Sequence, residues 1–227
     1  HVLSLVNYTF DSLLIGLWLG PGEVGWYAAA YKPVTAALAV PGSYYMGLFP
    51  TLSKVYGENR SRFAFLISRS LRLTTVVSLP FGVAGVFLAA PLVDFLFGSN
   101  YLPSTQPLQL LAISVVLVTM RGNFRQGLNA SGHQKCDLLC AVVGVSVNIV
   151  FNFLLIPAIG ITGAATATVV SETVWLVISA SMYRRYTGAT PALAGLTRPV
   201  IAAAAMSICL ILTSSVRWIM RGTLGLL

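Results

Sequence analysis

The chain is a succession of apolar stretches long enough to cross a bilayer, and that feature constrains its fold more than any other. A spanning helix needs about 20 predominantly apolar residues. Seven segments meet that length, at 2–19, 25–50, 71–97, 105–126, 137–157, 163–183 and 199–215. An eighth is expected to begin at the apolar residues 224–227. Short turns rich in Gly and Pro separate most of them, at Gly20-Pro-Gly22, Gly98-Ser-Asn100 and Ala158-Ile-Gly160. Only 9% of the 227 residues are charged, against about 25% in a soluble domain. The expected class is therefore all-α, a polytopic membrane bundle of about seven spanning helices. An ordinary soluble enzyme is excluded, and so is a nucleic-acid-binding domain, despite the net charge of +8.

The placement of that charge orients the bundle. Lys54, Arg60, Arg62, Arg69, Arg72, Arg121, Arg125, Lys135, Arg184, Arg185 and Arg198 all fall in or beside one alternating set of connections. The opposite connections, 20–24, 98–104 and 158–162, hold no basic residue. Cytoplasmic loops carry the excess of Lys and Arg, so the first and seventh helices are expected to run outward from the cytoplasm. The stretch 58–72 puts Glu58, Arg62, Arg69 and Arg72 on one helical face and Phe63, Leu66, Ile67 and Leu71 around the other. That pattern predicts an amphipathic segment lying in the interface and leading into the third span. Pro33, Pro41 and Pro50 in the second span and Pro80 in the third predict broken or bending helices. Cys136, Cys140 and Cys209 imply no disulfide framework. The sequence opens at His1 with neither a basic leader nor a cleavage site, and is expected to be a fragment that starts inside or just before a membrane helix.

A charge at mid-membrane costs about 2.5–3.5 kcal/mol on insertion scales, so each one needs a partner, a watery cavity or a purpose. Asp11 and Lys32 both lie about ten residues, or roughly 15 Å, from the Gly20–Gly22 turn. They are expected to pair at matching height, either as a gate or anionic-substrate contact or as a structural bridge. Glu172 shows no basic residue level with it, and is the candidate for coupling to a proton or cation. Arg121 and Arg125 are one turn apart, with Asn129 a further turn on. Guanidinium groups there suit bidentate capture of phosphate or pyrophosphate, or they anchor the helix end. Asn148 and Asn152, also one turn apart, offer contacts to a sugar or cation, or interhelical hydrogen bonds. Signatures of hydrolases, zinc enzymes and nucleotide-binding loops are missing, so neither enzyme activity, cofactor nor metal is expected.

Several phrases carry a family resemblance through their order and spacing along nearly the whole chain. They are Asp11-Ser-Leu-Leu-Ile-Gly16, Gly25-Trp-Tyr-Ala-Ala-Ala-Tyr31, Pro50-Thr-Leu-Ser53 and Leu96-Phe-Gly98 with Tyr101. Leu128-Asn-Ala-Ser-Gly132 with Lys135, Asn152-Phe-Leu-Leu-Ile-Pro157 and Gly160-Ile-Thr-Gly-Ala-Ala165 with Ser171-Glu172 complete the series. In these the chain resembles the Wzx-type flippases, the polysaccharide branch of the multidrug/oligosaccharidyl-lipid/polysaccharide (MOP) superfamily.

The resemblance implies a fourteen-helix transporter of two six-helix lobes plus two C-terminal helices. Residues 1–186 would be the C-terminal lobe, and 187–227 an additional helix and the start of another. It implies a multi-pass protein of the bacterial inner membrane that moves undecaprenyl-pyrophosphate-linked oligosaccharides across it by alternating access. Lys32, Arg121 and Arg125 would then face the substrate, and Glu172 or Asp11 would serve any ion coupling. The implied partners are the lipid-linked oligosaccharide, membrane lipid, the N-terminal lobe and the polysaccharide polymerase machinery. Nucleic acid is not among them. Two alternatives stay open within the superfamily: a cation-coupled multidrug or metabolite exporter of the MATE branch, and a lipid II flippase.

Overall fold

The computed structural model describes residues 2–188, 197 and 201–208. The chain is helical from end to end of the continuous part: α1 (Val2–Trp18), α2 (Pro21–Glu58), α3 (Arg60–Phe87), α4 (Ala89–Phe97), a 3-10 turn (Ser99–Ser104), α5 (Thr105–Ala130), α6 (Gln134–Ile159) and α7 (Ile161–Thr187). No strand occurs among the described residues. Of the expected seventh segment, 201–208 is helical. Its remainder and the eighth helix lie outside the described residues, as does most of the proposed second unit, 187–227.

The turns explain the up-and-down course. Gly20 (φ 99°), Gly98 (φ 85°) and Gly160 (φ 63°) take left-handed backbone where the sequence places its Gly-rich turns. Asn59 alone joins α2 to α3, its side chain accepting the Arg62 N–H at 2.9 Å as an N-cap. α7 packs between α5 and α6, α5 also meets α2 and α3, and α1 closes the group against α6 and α2. Gly163 makes the α6–α7 hairpin tight, because a Cβ there would sit 2.3 Å from the Leu155 carbonyl oxygen.

Polarity runs opposite to that of a soluble bundle. α6 exposes Leu138, Leu139, Val142, Val150, Phe153 and Leu154 while burying Asn148 and Asn152. An apolar outside around a polar inside is the arrangement a lipid solvent selects. Arg60–Phe87, Ser99–Ala130, Gln134–Ile159 and Ile161–Thr187 are each long and apolar enough to cross a membrane. Two apolar clusters fill the ends of the bundle. One gathers Ile15, Tyr27, Val93, Leu111 and Ile156 at the end without basic residues, the other Leu52, Phe63, Ile67, Leu128 and Tyr183 at the basic end. Buried polar side chains occupy the level between them.

Two expectations need correction. The prolines do not break their spans: α2 runs unbroken through Pro33, Pro41 and Pro50, and α3 through Pro80. The interruption falls at Leu88, between α3 and α4. Residues 60–72 are not a separate interfacial helix but the first turns of α3. Their apolar face, Phe63, Ile67 and Leu71, packs into the bundle's basic-end core and so keeps the segment continuous with the span.

Candidate functional site

Asp11 is 1% exposed, and its partners come from three other helices. The Tyr27 hydroxyl of α2 donates to Oδ2 at 2.9 Å, and Thr168 of α7 donates to the same oxygen at 3.3 Å. Asn152 of α6 donates through Nδ2 to Oδ1 at 2.6 Å. The same Nδ2 donates to Asn148 Oδ1 at 3.0 Å, and Thr168 Oγ1 also donates to the Ala164 carbonyl at 3.1 Å. All of Asp11's hydrogen-bond partners are neutral. Hydrogen bonds to a charged group contribute about 1.5–3 kcal/mol each, and they offset only part of the cost of placing a carboxylate there. The cluster is incomplete in one respect: Asn152 Oδ1 and Asn148 Nδ2 are buried without a hydrogen bond.

Lys32 does not join Asp11. It is exposed, its Nζ 5.6 Å from the centre of the Phe97 ring. The reason is angular, since height alone matched. Lys32 lies five residues beyond Tyr27, about 140° further around α2 at 100° per residue, so the face that meets α1 carries Tyr27 in its place.

Glu172 is not alone. Arg121 of α5 donates to it through Nε at 2.7 Å and Nη2 at 3.2 Å, a bidentate pair with both side chains almost wholly buried. The guanidinium also stacks on the Trp175 ring at 3.7 Å, and that ring rests on Gly144, where a Cβ would lie 2.7 Å from it. Arg121 is therefore closed in by Glu172 and Trp175 rather than open at the helix mouth for a phosphate. Arg125 meets Asp137 at 3.3 Å with its side chain 37% exposed, and Asn129 donates to the same carboxylate oxygen at 3.1 Å. Asp11, Asn148 and Asn152 thus come together, Arg121 and Glu172 form a second group, Arg125 a third, and Lys32 stands apart.

Tyr27, Thr168, Trp175 and Asp137 are site residues that the sequence reading passed over. The signal was present in the distances to the turns. Tyr27 and Asp11 lie seven and nine residues from Gly20, and Asn152 and Thr168 each lie eight from Gly160. Counting rise on every strand of both hairpins puts all four in one layer. A further polar knot ties α2, α3 and α5: Asn123 donates to Tyr45 Oη (3.1 Å) and Thr74 Oγ1 (2.9 Å), and accepts from Ser70 Oγ (2.6 Å). No group of three or more His, Cys, Asp or Glu side chains placed to hold a metal occurs among the described residues.

Fold and site together define a multi-pass α-helical membrane protein built around a buried polar layer. The same fold is found in a solved MOP superfamily transporter from Pyrococcus furiosus, with a TM-score of 0.67 at 16% identity, covering 95% of this chain and 52% of that one. The profile of the family described as "Lipid II flippase MurJ" matches residues 39–224, and the chain belongs to that family.

Among curated relatives, the "Probable flippase AglR" of Haloferax volcanii is 23% identical, over 92% of this chain and 44% of the relative. The "Probable low-salt glycan biosynthesis flippase Agl15" of the same organism is 25% identical, over 79% and 39%. The "Succinoglycan biosynthesis transport protein ExoT" of Rhizobium meliloti is 27% identical, over 92% and 42%. The chain spans less than half the length of each of these relatives.

Proposed function

We propose that this chain forms one lobe of a flippase that carries a lipid-linked oligosaccharide across the cytoplasmic membrane by alternating access, with Asp11 as its ion-coupling carboxylate. The family and the names of the relatives support the flippase and its class of cargo. The Wzx-type assignment and a bacterial inner membrane are the finer reading, supported by the succinoglycan transport relative; the Haloferax relatives are archaeal. The basic end faces the cytoplasm, in keeping with the positive-inside rule.

The observation that carries the coupling is the Asp11 cluster, a single buried carboxylate ringed by neutral oxygens. The Tyr27 and Thr168 hydroxyls meet one oxygen of Asp11, and the Asn152 amide, which also meets Asn148 Oδ1, meets the other. The Asn152 amide nitrogen sits between the Asp11 and Asn148 oxygens, its partial positive charge standing where a cation would. One negative charge among neutral ligands balances one monovalent cation of sodium size, since a net charge is costly away from water. Because four helices supply the ligands, occupancy changes what holds α1 and α2 to α6 and α7, and those are the elements available to bias the two access states.

Coupling thus passes from Glu172, whose charge Arg121 already matches, to Asp11. Lys32, exposed and unpaired by any acid among the described residues, and Arg125, partly exposed, remain the basic side chains offered to an anionic substrate. Only the headgroup need enter between the lobes, while the polyprenyl tail stays in lipid. A lipid II flippase is the second reading, favoured by the family match over residues 39–224. The MATE-type exporter loses one argument against it, because Asp11 is not neutralised by Lys32, but none of the three relatives named above is described as a drug exporter.

The test is to delete the intact gene, extract polyprenyl-linked saccharides and score surface polysaccharide in the same cells. Accumulated oligosaccharide repeat units with lost polymer are expected. Accumulated lipid II selects the second reading, and unchanged lipids with heightened sensitivity to cationic drugs would falsify both.

A further inference from the structure

Eight buried side-chain polar atoms lack a nitrogen or oxygen hydrogen-bond partner among the described residues, and six of them fall on α6 and α7: Asn152 Oδ1, Asn148 Nδ2, Trp175 Nε1, Ser179 Oγ, Asp137 Oδ1 and Tyr183 Oη. Their positions are ordered. On α7, Thr168, Glu172, Trp175 and Ser179 follow one another by four, three and four residues, which places them on one helical face. On α6, Asn152, Asn148, Gly144, Cys140 and Asp137 form the matching stripe. Measured from Gly160, Asn152 stands level with Thr168, Asn148 with Glu172, Gly144 with Trp175, and Cys140 with Ser179. The contact of the Trp175 ring with Gly144 fixes that register.

The stripe runs from the Asp11 cluster to the Arg125–Asp137 pair at the basic end, 15 residues of α6 or about 22 Å. A buried polar group without a partner costs about 1–3 kcal/mol, and in a bilayer interior it has no bulk water to turn to. Bound water satisfies such groups where it finds two to four polar partners. The levels offer them in turn: Asp11 with both asparagines, then Glu172 with the Trp175 N–H, then Ser179 with the Cys140 thiol it hydrogen-bonds, then Asp137 with Arg125 and Asn129.

We propose that a file of bound water runs down the α6–α7 seam from the Asp11 cluster to the basic end of the lobe, with the Trp175 indole as its constriction. This rests on reading Asp11 as the cation site, and it gives that cation its aqueous route to the cytoplasm. The indole is held between Gly144 on α6 and the Arg121 guanidinium on α5. Its N–H has no partner among the described residues. Displacing the ring opens the route, and seating it divides the file into an upper part at the asparagines and a lower part at Ser179.

Radiolytic hydroxyl-radical footprinting of the full-length protein in native membrane vesicles tests the file, because it labels side chains beside bound water whatever their bulk exposure. Trp175 and Cys140 are expected to label several-fold above Phe63 and Phe124, which are equally buried but lie among apolar neighbours, after scaling for intrinsic reactivity. Equal protection of all four overturns the file.

A second arm uses protein whose single cysteine is introduced by Asn148→Cys, beyond the indole from the cytoplasm, with silver ion applied at the cytoplasmic face. Trp175→Ala is expected to raise the rate of modification at that position at least ten-fold, and an unchanged rate overturns the constriction. The footprinting arm keeps the proposal testable if that variant does not fold. Neither arm needs a bound cation, so their failure is distinct from failure of the Asp11 reading, which cation-dependent melting tests separately.

Discussion

Asp11 and Glu172 are both carboxylates buried at mid-height in the same bundle, one turn of α7 apart through Thr168, yet they are held in opposite ways. Glu172 has a full countercharge in a bidentate guanidinium, itself stacked on an indole. Asp11 has three neutral donors and two neighbouring amide atoms left over. A matched pair has little to gain from another charge and ties α5 to α7. On the proposed function, an unmatched carboxylate surrounded by neutral donors is the place for one positive charge. Burial alone does not mark a functional acid; what matters is whether its charge is already answered.

The largest effect expected from breaking this contrast is on the matched pair. Arg121→Ala leaves Glu172 buried without its partner, a loss of about 3–5 kcal/mol in comparable buried pairs. It should therefore lower the yield and melting temperature of the purified protein sharply. Arg121→Met combined with Glu172→Met should recover most of that loss, since apolar replacement of a whole buried pair is often neutral or stabilising. Recovery of transport in the double variant would sharpen the assignment of Glu172 to structure. Loss of cation dependence in it, with folding restored, would break it.

Next comes the site. Asp11→Asn removes the charge while keeping the shape, so the protein should fold while cation-dependent flipping in proteoliposomes falls at least ten-fold. Thr168→Val deletes one oxygen ligand and one hydrogen bond. At about 1 kcal/mol for such a bond, it should weaken cation affinity roughly five-fold in a titration of cation-induced melting shift. The smallest effect belongs to Arg125→Gln: a part-exposed pair contributes about 0–1 kcal/mol, so the melting temperature should move by no more than a degree or two. A larger drop in flipping than in stability for that variant would assign Arg125 to the substrate path.

The sequence made the architecture readable because membrane spans and Gly turns are local signals. Spans of the right length, turns at Gly20, Gly98 and Gly160, and one-sided Lys and Arg needed no tertiary information. Where local rules conflicted with packing, packing won. Pro33, Pro41 and Pro50 sit inside an unbroken α2, and residues 60–72 continue into α3 because Phe63, Ile67 and Leu71 find a core.

The site was half legible. Asp11, Asn148 and Asn152 stand out as polar residues in apolar stretches and do come together. Their partners Tyr27 and Thr168 do not stand out, because Tyr and Thr are ordinary in membrane helices. The Asp11–Lys32 pairing failed because height along a helix was counted without angle around it. Glu172 looked solitary because Arg121 approaches from α5, which is not its neighbour in sequence.

The most direct measurement is the melting temperature of the full-length protein with sodium against choline, taken for wild type, Asp11→Asn and the Arg121→Met/Glu172→Met double variant. A ligand that binds only the folded state raises stability with its concentration. Sodium should raise the melting temperature of wild type and of the double variant, and should leave Asp11→Asn unchanged. A sodium shift that survives in Asp11→Asn and vanishes with Glu172 would contradict the account, and would return the coupling role to the carboxylate that Arg121 holds.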